Sequence, residues 1–414
     1  MYKIILSSFM LLSAASYADN TPTFDFATGV LSMPFVSTSQ GNYMATLQID
    51  PNLPATTFTI LQAEPTVVAA NTTTPPTFSF TSGLLNLPKV NTTNGTYTAK
   101  LQLAENLFKL TAVQVVGVNI PTGDAPAIAG CSIFPSNNAW NTAINALPVH
   151  PRSAAWINTI RIAAIHTDFG ADYGAGPFGQ PINIVAGSTT PKYTFNFQIP
   201  IESDTGPYPV PDAFLREATD DKRLFIVDTE TCKLYETYNA NKTGAQWSAK
   251  RGAIWDMKSN GLRPLGSGSA DEGGFPTVPG LVRYDEVASG IIKHALRFTF
   301  PKPNTAIWPA RHTVGAAVAV NNTLPMGARL RLKDSVDISA YAPELQVILQ
   351  AMKTYGIMLT DDGSALYLSG TPDERWNNDM LSNLRAIKGG DFEAVDSECM
   401  QVSPDSGEAN PGKC

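Results

Sequence analysis

The chain has 414 residues, with 29 Lys and Arg against 36 Asp and Glu, for a formal charge of −7. An apolar share of 43 % excludes a mainly disordered chain. No basic run is available to neutralise phosphates, which argues against nucleic acid as a partner.

Residues 1–18 read as a secretory signal peptide: Lys3 supplies the positive end, Ile4 to Leu12 the apolar stretch, and Ser16-Tyr17-Ala18 the small-residue cleavage site. The apolar stretch falls short of the roughly 20 residues that span a bilayer. The expectation is a secreted or periplasmic protein that starts near Asp19 and has no membrane span.

A tandem repeat with an offset of 54 residues follows. Thr23-Phe24-Asp25-Phe26-Ala27-Thr28-Gly29-Val30-Leu31-Ser32-Met33-Pro34 matches Thr77-Phe78-Ser79-Phe80-Thr81-Ser82-Gly83-Leu84-Leu85-Asn86-Leu87-Pro88, and Gly41-Asn42-Tyr43 to Gln48 matches Gly95-Thr96-Tyr97 to Gln102. The apolar residues alternate with polar ones between Gly and Asn turns, the period of half-buried strands. Two small antiparallel β modules are therefore expected, over 19–65 and 77–118, joined by a Thr/Pro linker at 66–76. Neither contains His or Cys, so catalysis is not expected there; the modules serve attachment to a surface or glycan, or act as spacers.

All four His and all six Trp lie beyond residue 130, and any chemistry is expected in a larger domain over 125–396. Apolar spacing predicts helices at 152–165, 343–355 and 379–387. Strands are predicted at 192–201, 223–227, 233–238, 295–300, 328–332 and 365–368, with Asp228-Thr229-Glu230-Thr231 as a hairpin turn. The abundance of Gly and Pro, 31 of each, suits short strands and many turns. The expected class is mainly β or α+β: two repeat modules, then an antiparallel sandwich- or barrel-like domain with a few helices. A polar tail, 397–414, closes the chain. Four cysteines allow three connectivities; Cys131–Cys232 and Cys399–Cys414 are favoured, because the second would close that tail. No close cysteine pair suggests zinc.

The densest polar stretch runs from Trp255 to His312. Glycoside hydrolysis needs two carboxyl groups across a sugar, and Asp256, Asp271, Asp285 and Glu286 are the candidates. Trp255, Tyr284 and Trp308 would stack on sugar rings, while Arg283, Arg297 and Arg311 would bind substrate. A polysaccharide lyase would instead use His294 and His312, with Tyr284, to remove a proton beside a uronate neutralised by arginine. A divalent metal, Zn²⁺ or Ca²⁺, would fall at His166 and Asp168, a His-x-Asp pair that shares a face if extended, completed by His150, His294 or His312; otherwise no cofactor is expected. Gly266 to Asp271 departs from the G-x-S-x-G elbow at Ala270, which argues against serine chemistry.

Several stretches of 131–396 resemble an uncharacterised family of exported bacterial proteins: Leu147-Pro148-Val149-His150-Pro151-Arg152-Ser153, Gly252-Ala253-Ile254-Trp255-Asp256, Ser269-Ala270-Asp271, Pro279-Gly280-Leu281-Val282-Arg283-Tyr284-Asp285-Glu286, His294-Ala295-Leu296-Arg297-Phe298-Thr299 and Trp308-Pro309-Ala310-Arg311-His312. The repeats likewise resemble short Thr-rich β repeats at the front of exported bacterial proteins. The resemblance implies one extracellular domain and no assigned catalytic residues. The expected function is an exported enzyme cleaving an extracellular or cell-wall polysaccharide, by hydrolysis before β-elimination. The alternative is a non-catalytic protein that binds a surface or a cell-surface glycan.

Overall fold

The computed structural model describes residues 23–25, 30–38, 41–48, 58–65, 77–78, 84–92 and 95–103, and 125–414 apart from 175, 302, 304 and 315–322. The signal peptide and the 66–76 linker lie outside the described residues. The chain divides into two compact units, Met1–Gly117 and Val118–Cys414.

In the first unit the two expected modules share one seven-stranded sheet. Its strands are β1 (Thr23–Asp25), β2 (Val30–Thr38), β3 (Gly41–Gln48), β4 (Phe58–Pro65), β5 (Thr77–Phe78), β6 (Leu84–Thr92) and β7 (Gly95–Leu103). The repeats interlock reciprocally. β1 runs parallel to β6, pairing Thr23 with Asn91, while β5 runs parallel to β2, pairing Thr77 with Ser37. Each partner in the first pair stands 54 residues from its counterpart in the second. Each short strand is thus supplied to the other repeat, and two units too small to close a core alone form a common sheet. A bulge recurs at equivalent places, between Met33 and Val36 and between Leu87 and Val90. Pro34 and Pro88 sit there, and proline, lacking an N–H, is tolerated where the ladder is interrupted.

The second unit is built on two larger sheets. A four-stranded sheet orders Ile182–Val185, Leu224–Asp228, Lys233–Tyr238 and Arg251–Asp256. Leu224–Asp228 is buried along its whole length. Phe225 and Val227 enter one apolar cluster with Leu234 and Trp255, and Leu224 and Ile226 enter another with Phe195 and Trp247. That alternation covers both faces of the strand. The hairpin to Lys233–Tyr238 forms as expected. Asp228 Oδ1 accepts from the Glu230 N–H at 3.0 Å, and Oδ2 accepts from the Thr231 hydroxyl at 2.6 Å, an Asx-type turn.

The six-stranded sheet orders His166–Asp168, Tyr367–Ser369, Leu296–Phe300, Ile357–Asp362, Arg329–Leu332 and Phe392–Val395. Helix Pro343–Thr354 packs on it through Leu345, Ile348, Leu349 and Met352. Both large sheets are mixed: Ile182–Val185 runs parallel to Leu224–Asp228, and Leu296–Phe300 parallel to Ile357–Asp362. The fold is mainly β with few helices.

Two expected helices are shorter than their periodicity suggests. The first spans Ser153–Ile160, because the chain then turns to enter the strand His166–Asp168. The last is Asn378–Ser382, capped by Asn377 and continued as a 3-10 turn. The expected strand at 192–201 is broken into Lys192–Tyr193 and Phe195–Phe197. Cys131 is bonded to Cys232 and Cys399 to Cys414, with Cα separations of 5.4 Å and 5.1 Å. Among the described residues, no helix is long and apolar enough to cross a membrane.

Candidate functional site

The charged side chains of 255–312 do not converge on one groove. Asp271 has no solvent exposure. Its two oxygens accept from Arg297 Nε and Nη2 at 2.7 and 2.8 Å, and Oδ2 also accepts from the Thr360 hydroxyl at 2.7 Å. Burial opposes its ionisation, but Arg297, with help from Arg223 and the Thr360 hydroxyl, holds the carboxyl below its ordinary range. Arg297 also donates to Asp361 at 2.8 Å and to the Ser369 hydroxyl at 2.5 Å. Asp361 accepts in turn from Arg223 Nη2 at 2.7 Å. Burial and the Asp271 charge push Asp361 up to about 7. Arg223 stands just before Leu224–Asp228, so this alternating chain of charges fastens the four-stranded sheet to the six-stranded one.

The other candidate carboxylates lie elsewhere. Asp256 is exposed at the end of its strand, and Oδ1 accepts from the Lys258 N–H at 3.0 Å. Asp285 is 84 % exposed and pairs with Arg375, whose guanidinium lies 4.2 Å from the Tyr284 ring centroid. Glu286 pairs with Arg283 and with His294 Nε2 at 3.1 Å. Burial resists its ionisation, yet Arg283 and His294 hold its carboxyl below the ordinary value. His294 is fully buried and precedes the strand that carries Arg297, so the two side chains enter different surroundings. His312 Nδ1 donates to the Glu272 carbonyl at 2.9 Å.

The expected sugar platforms are likewise committed inside. Trp255 is buried edge-on against Phe134. Trp308 is buried and donates to the Ser406 carbonyl at 2.9 Å. Tyr284 packs edge-on against Trp376. Arg311 donates to the carbonyls of Arg263 and Pro404 and to Asp405, which ties down the tail. The residues expected for hydrolysis or elimination are thus dispersed: Asp271 and Arg297 join the two sheets, Glu286 pairs with His294, and Asp256 and Asp285 lie exposed at separate places.

His166 and Asp168 share a strand, but His150 stacks on Trp156 while His294 and His312 bond as described, so none of these joins them. Among the described residues, no three His, Cys, Asp or Glu side chains group as metal ligands.

A cleft of about 240 Å³ opens instead where Asp168 ends the first strand of the six-stranded sheet; Tyr173, Pro177, Phe178, Glu217 and Thr219 line it as well. One wall is formed by residues 170–174 and 176–179. Its ends are closed by the Gly170 N–H donating to the Phe178 carbonyl at 2.9 Å. The Asn378 side-chain amide holds Ala171 by both its N–H and its carbonyl, at 2.9 and 3.0 Å. Asp172 Oδ1 accepts from the N–H groups of Gly174 and Gly176, at 2.6 and 3.0 Å. Gly179 has φ +129°, and a Cβ there would lie 2.8 Å from the Gly370 carbonyl oxygen, so only glycine lets the loop sit against the sheet. This pinned loop presents Tyr173, 68 % exposed, edge-on to Phe178 with 5.5 Å between ring centroids.

The opposite wall begins at Glu217, whose side chain is almost wholly buried. Its Oε2 accepts from the Arg223 N–H at 3.2 Å and faces Arg223 Nη1 at 3.4 Å, while Oε1 lies 3.5 Å from Gln180 Nε2. The inter-sheet charge chain therefore ends at the cleft, with Arg223 as the link that holds Glu217 in place. Of the residues singled out by sequence, only Asp168 belongs to this site. The available signal was Gly170 to Gly179 itself, where Tyr and Phe are set among glycines. Compared with known protein families, curated proteins and solved structures, the chain matches none.

Proposed function

We propose that the second unit is a carbohydrate-binding module of an exported protein, the non-catalytic reading of the sequence. The observation that carries it is the cleft: an exposed aromatic ring on a pinned loop, with two carboxylates on the same lining. Sugars are bound by an aromatic side chain against the apolar face of the ring and by fixed polar groups to the hydroxyls. Two disulfides and the signal-like start support export, since disulfides persist in oxidising compartments. In the same framework the paired N-terminal repeats serve as an attachment or spacer element.

Hydrolysis in this cleft is the second reading, because Asp168 and Glu217 both line it. One experiment tests the two together. The mature protein is titrated with a panel of soluble glycans while reducing ends are followed. Saturable binding without release of reducing ends, weakened about tenfold or more in Tyr173→Ala, is the expected result. Release of reducing ends that is lost in Glu217→Gln would replace binding by catalysis. An absence of binding to every glycan would end the carbohydrate reading.

A further inference from the structure

We infer that the cleft selects amine-bearing, cationic sugars over neutral ones and over uronates. The inference rests on the carbohydrate-binding reading above and adds the substrate class. Among the described residues lining the cleft there is no Lys, Arg or His. Two carboxylates line it, and they differ in what neutralises them. Glu217 faces Arg223, but Arg223 also serves Asp221 at 2.6 Å and Asp361 at 2.7 Å, so its charge is shared among several carboxyl groups. Asp168 makes no ion pair with any described residue. His166, two residues before it on the same strand, lies stacked on Tyr367 at 4.1 Å. Burial, followed by the nearby Arg385, lowers its basicity, against the Asp168 carboxylate, which raises it.

The lining thus combines a net negative charge with an exposed tyrosine face. An ammonium is attracted to both, to the carboxylate by charge and to the ring face by its quadrupole. A uronate carboxylate meets like charge and no donor cation. A neutral ring can still pack on Tyr173 and offer hydroxyls to Asp168, but gains no charge attraction.

The test compares three probes by calorimetric titration of the mature protein: glucosamine oligomers, N-acetylglucosamine oligomers of equal length, and spermine. The glucosamine oligomer is expected to bind about tenfold more tightly than its acetylated counterpart, and the preference should shrink as salt is raised. Asp168→Asn should abolish the preference, leaving glucosamine and N-acetylglucosamine oligomers with equal affinity. Thr219→Lys, which leaves Asp168 untouched, should do the same through added positive charge, and it keeps the test open if the Asp168 variant folds poorly. Equal affinity for both sugars, or tighter binding of the acetylated one, would overturn the inference and leave carbohydrate binding standing. Spermine binding as tightly as the glucosamine oligomer would make this a simple cation site and overturn the sugar class. If neither sugar binds, the reading beneath the inference fails first.

Discussion

Asp271 and Arg297 show how a pair of charged residues reads differently in sequence and in space. Both belong to a polar stretch that looks like an active-site lining. Both are enclosed, and the bidentate bond between them is satisfied on every side. Removing one charge should therefore unfold the protein rather than silence a reaction. Asp271→Asn leaves Arg297 with an uncompensated share of charge, and a loss of about 3 kcal/mol or more is expected in denaturant unfolding. Glu236 is the second buried carboxyl with consequences. It accepts from the N–H groups of Thr277 and Val278, each at 2.9 Å, and burial pushes it up to about 8 against those bonds. Because this lies above the ordinary 4.5, the folded protein holds a proton that the unfolded chain releases. The stability tied to that proton is fully present below the ordinary value and is lost as pH rises through about 8. Asp361 acts in the same direction, over a window ending near 7. Thermal unfolding of Glu236→Gln should decline less between about pH 5 and about pH 8.5 than wild type, by more than about 1 kcal/mol. Parallel profiles would show that Glu236 carries no proton in the folded state.

At the scale of elements, local chemistry was legible wherever it was self-contained. The Asp228 turn, the proline start of the helix Pro343–Thr354 and the strand Lys233–Tyr238 follow from residues within a few positions of one another. The repeat was visible as an offset, but its reciprocal strand exchange was not, because pairing between Thr23 and Asn91 depends on neighbours 68 positions apart. The tail was read from its lack of apolar content. The tail is closed by Cys399–Cys414, and Arg311 and Trp308 also bond its backbone. Replacing both cysteines by serine is expected to cost up to about 3 kcal/mol, the chain-entropy figure for a loop of roughly 15 residues. An unchanged melting temperature would mean that the Arg311 and Trp308 contacts hold the tail unaided. The cleft was illegible for a related reason. Its walls come from residues 170–174 and 176–179 and from Glu217 to Thr219, stretches that carry no catalytic motif and few charges. Charge density is instead highest over 255–312, where ion pairs join the sheets.

At the scale of the whole molecule, two kinds of polar residue do separate work. Those at the junction of the large sheets hold the second unit together, and those at the rim of the six-stranded sheet face solvent and any ligand. Arg223 belongs to both groups, since it bonds Asp361 within and Glu217 at the cleft. On the carbohydrate-binding proposal, recognition resides at Asp168, Tyr173 and Glu217 and not among the residues of 255–312. The most direct measurement is glycan binding by Tyr173→Ala, Asp285→Asn and His312→Ala, side by side with wild type and with unfolding curves to show that each is folded. The account predicts binding lost in Tyr173→Ala and retained in the other two. Full binding by Tyr173→Ala, or its loss in Asp285→Asn or His312→Ala, would contradict it.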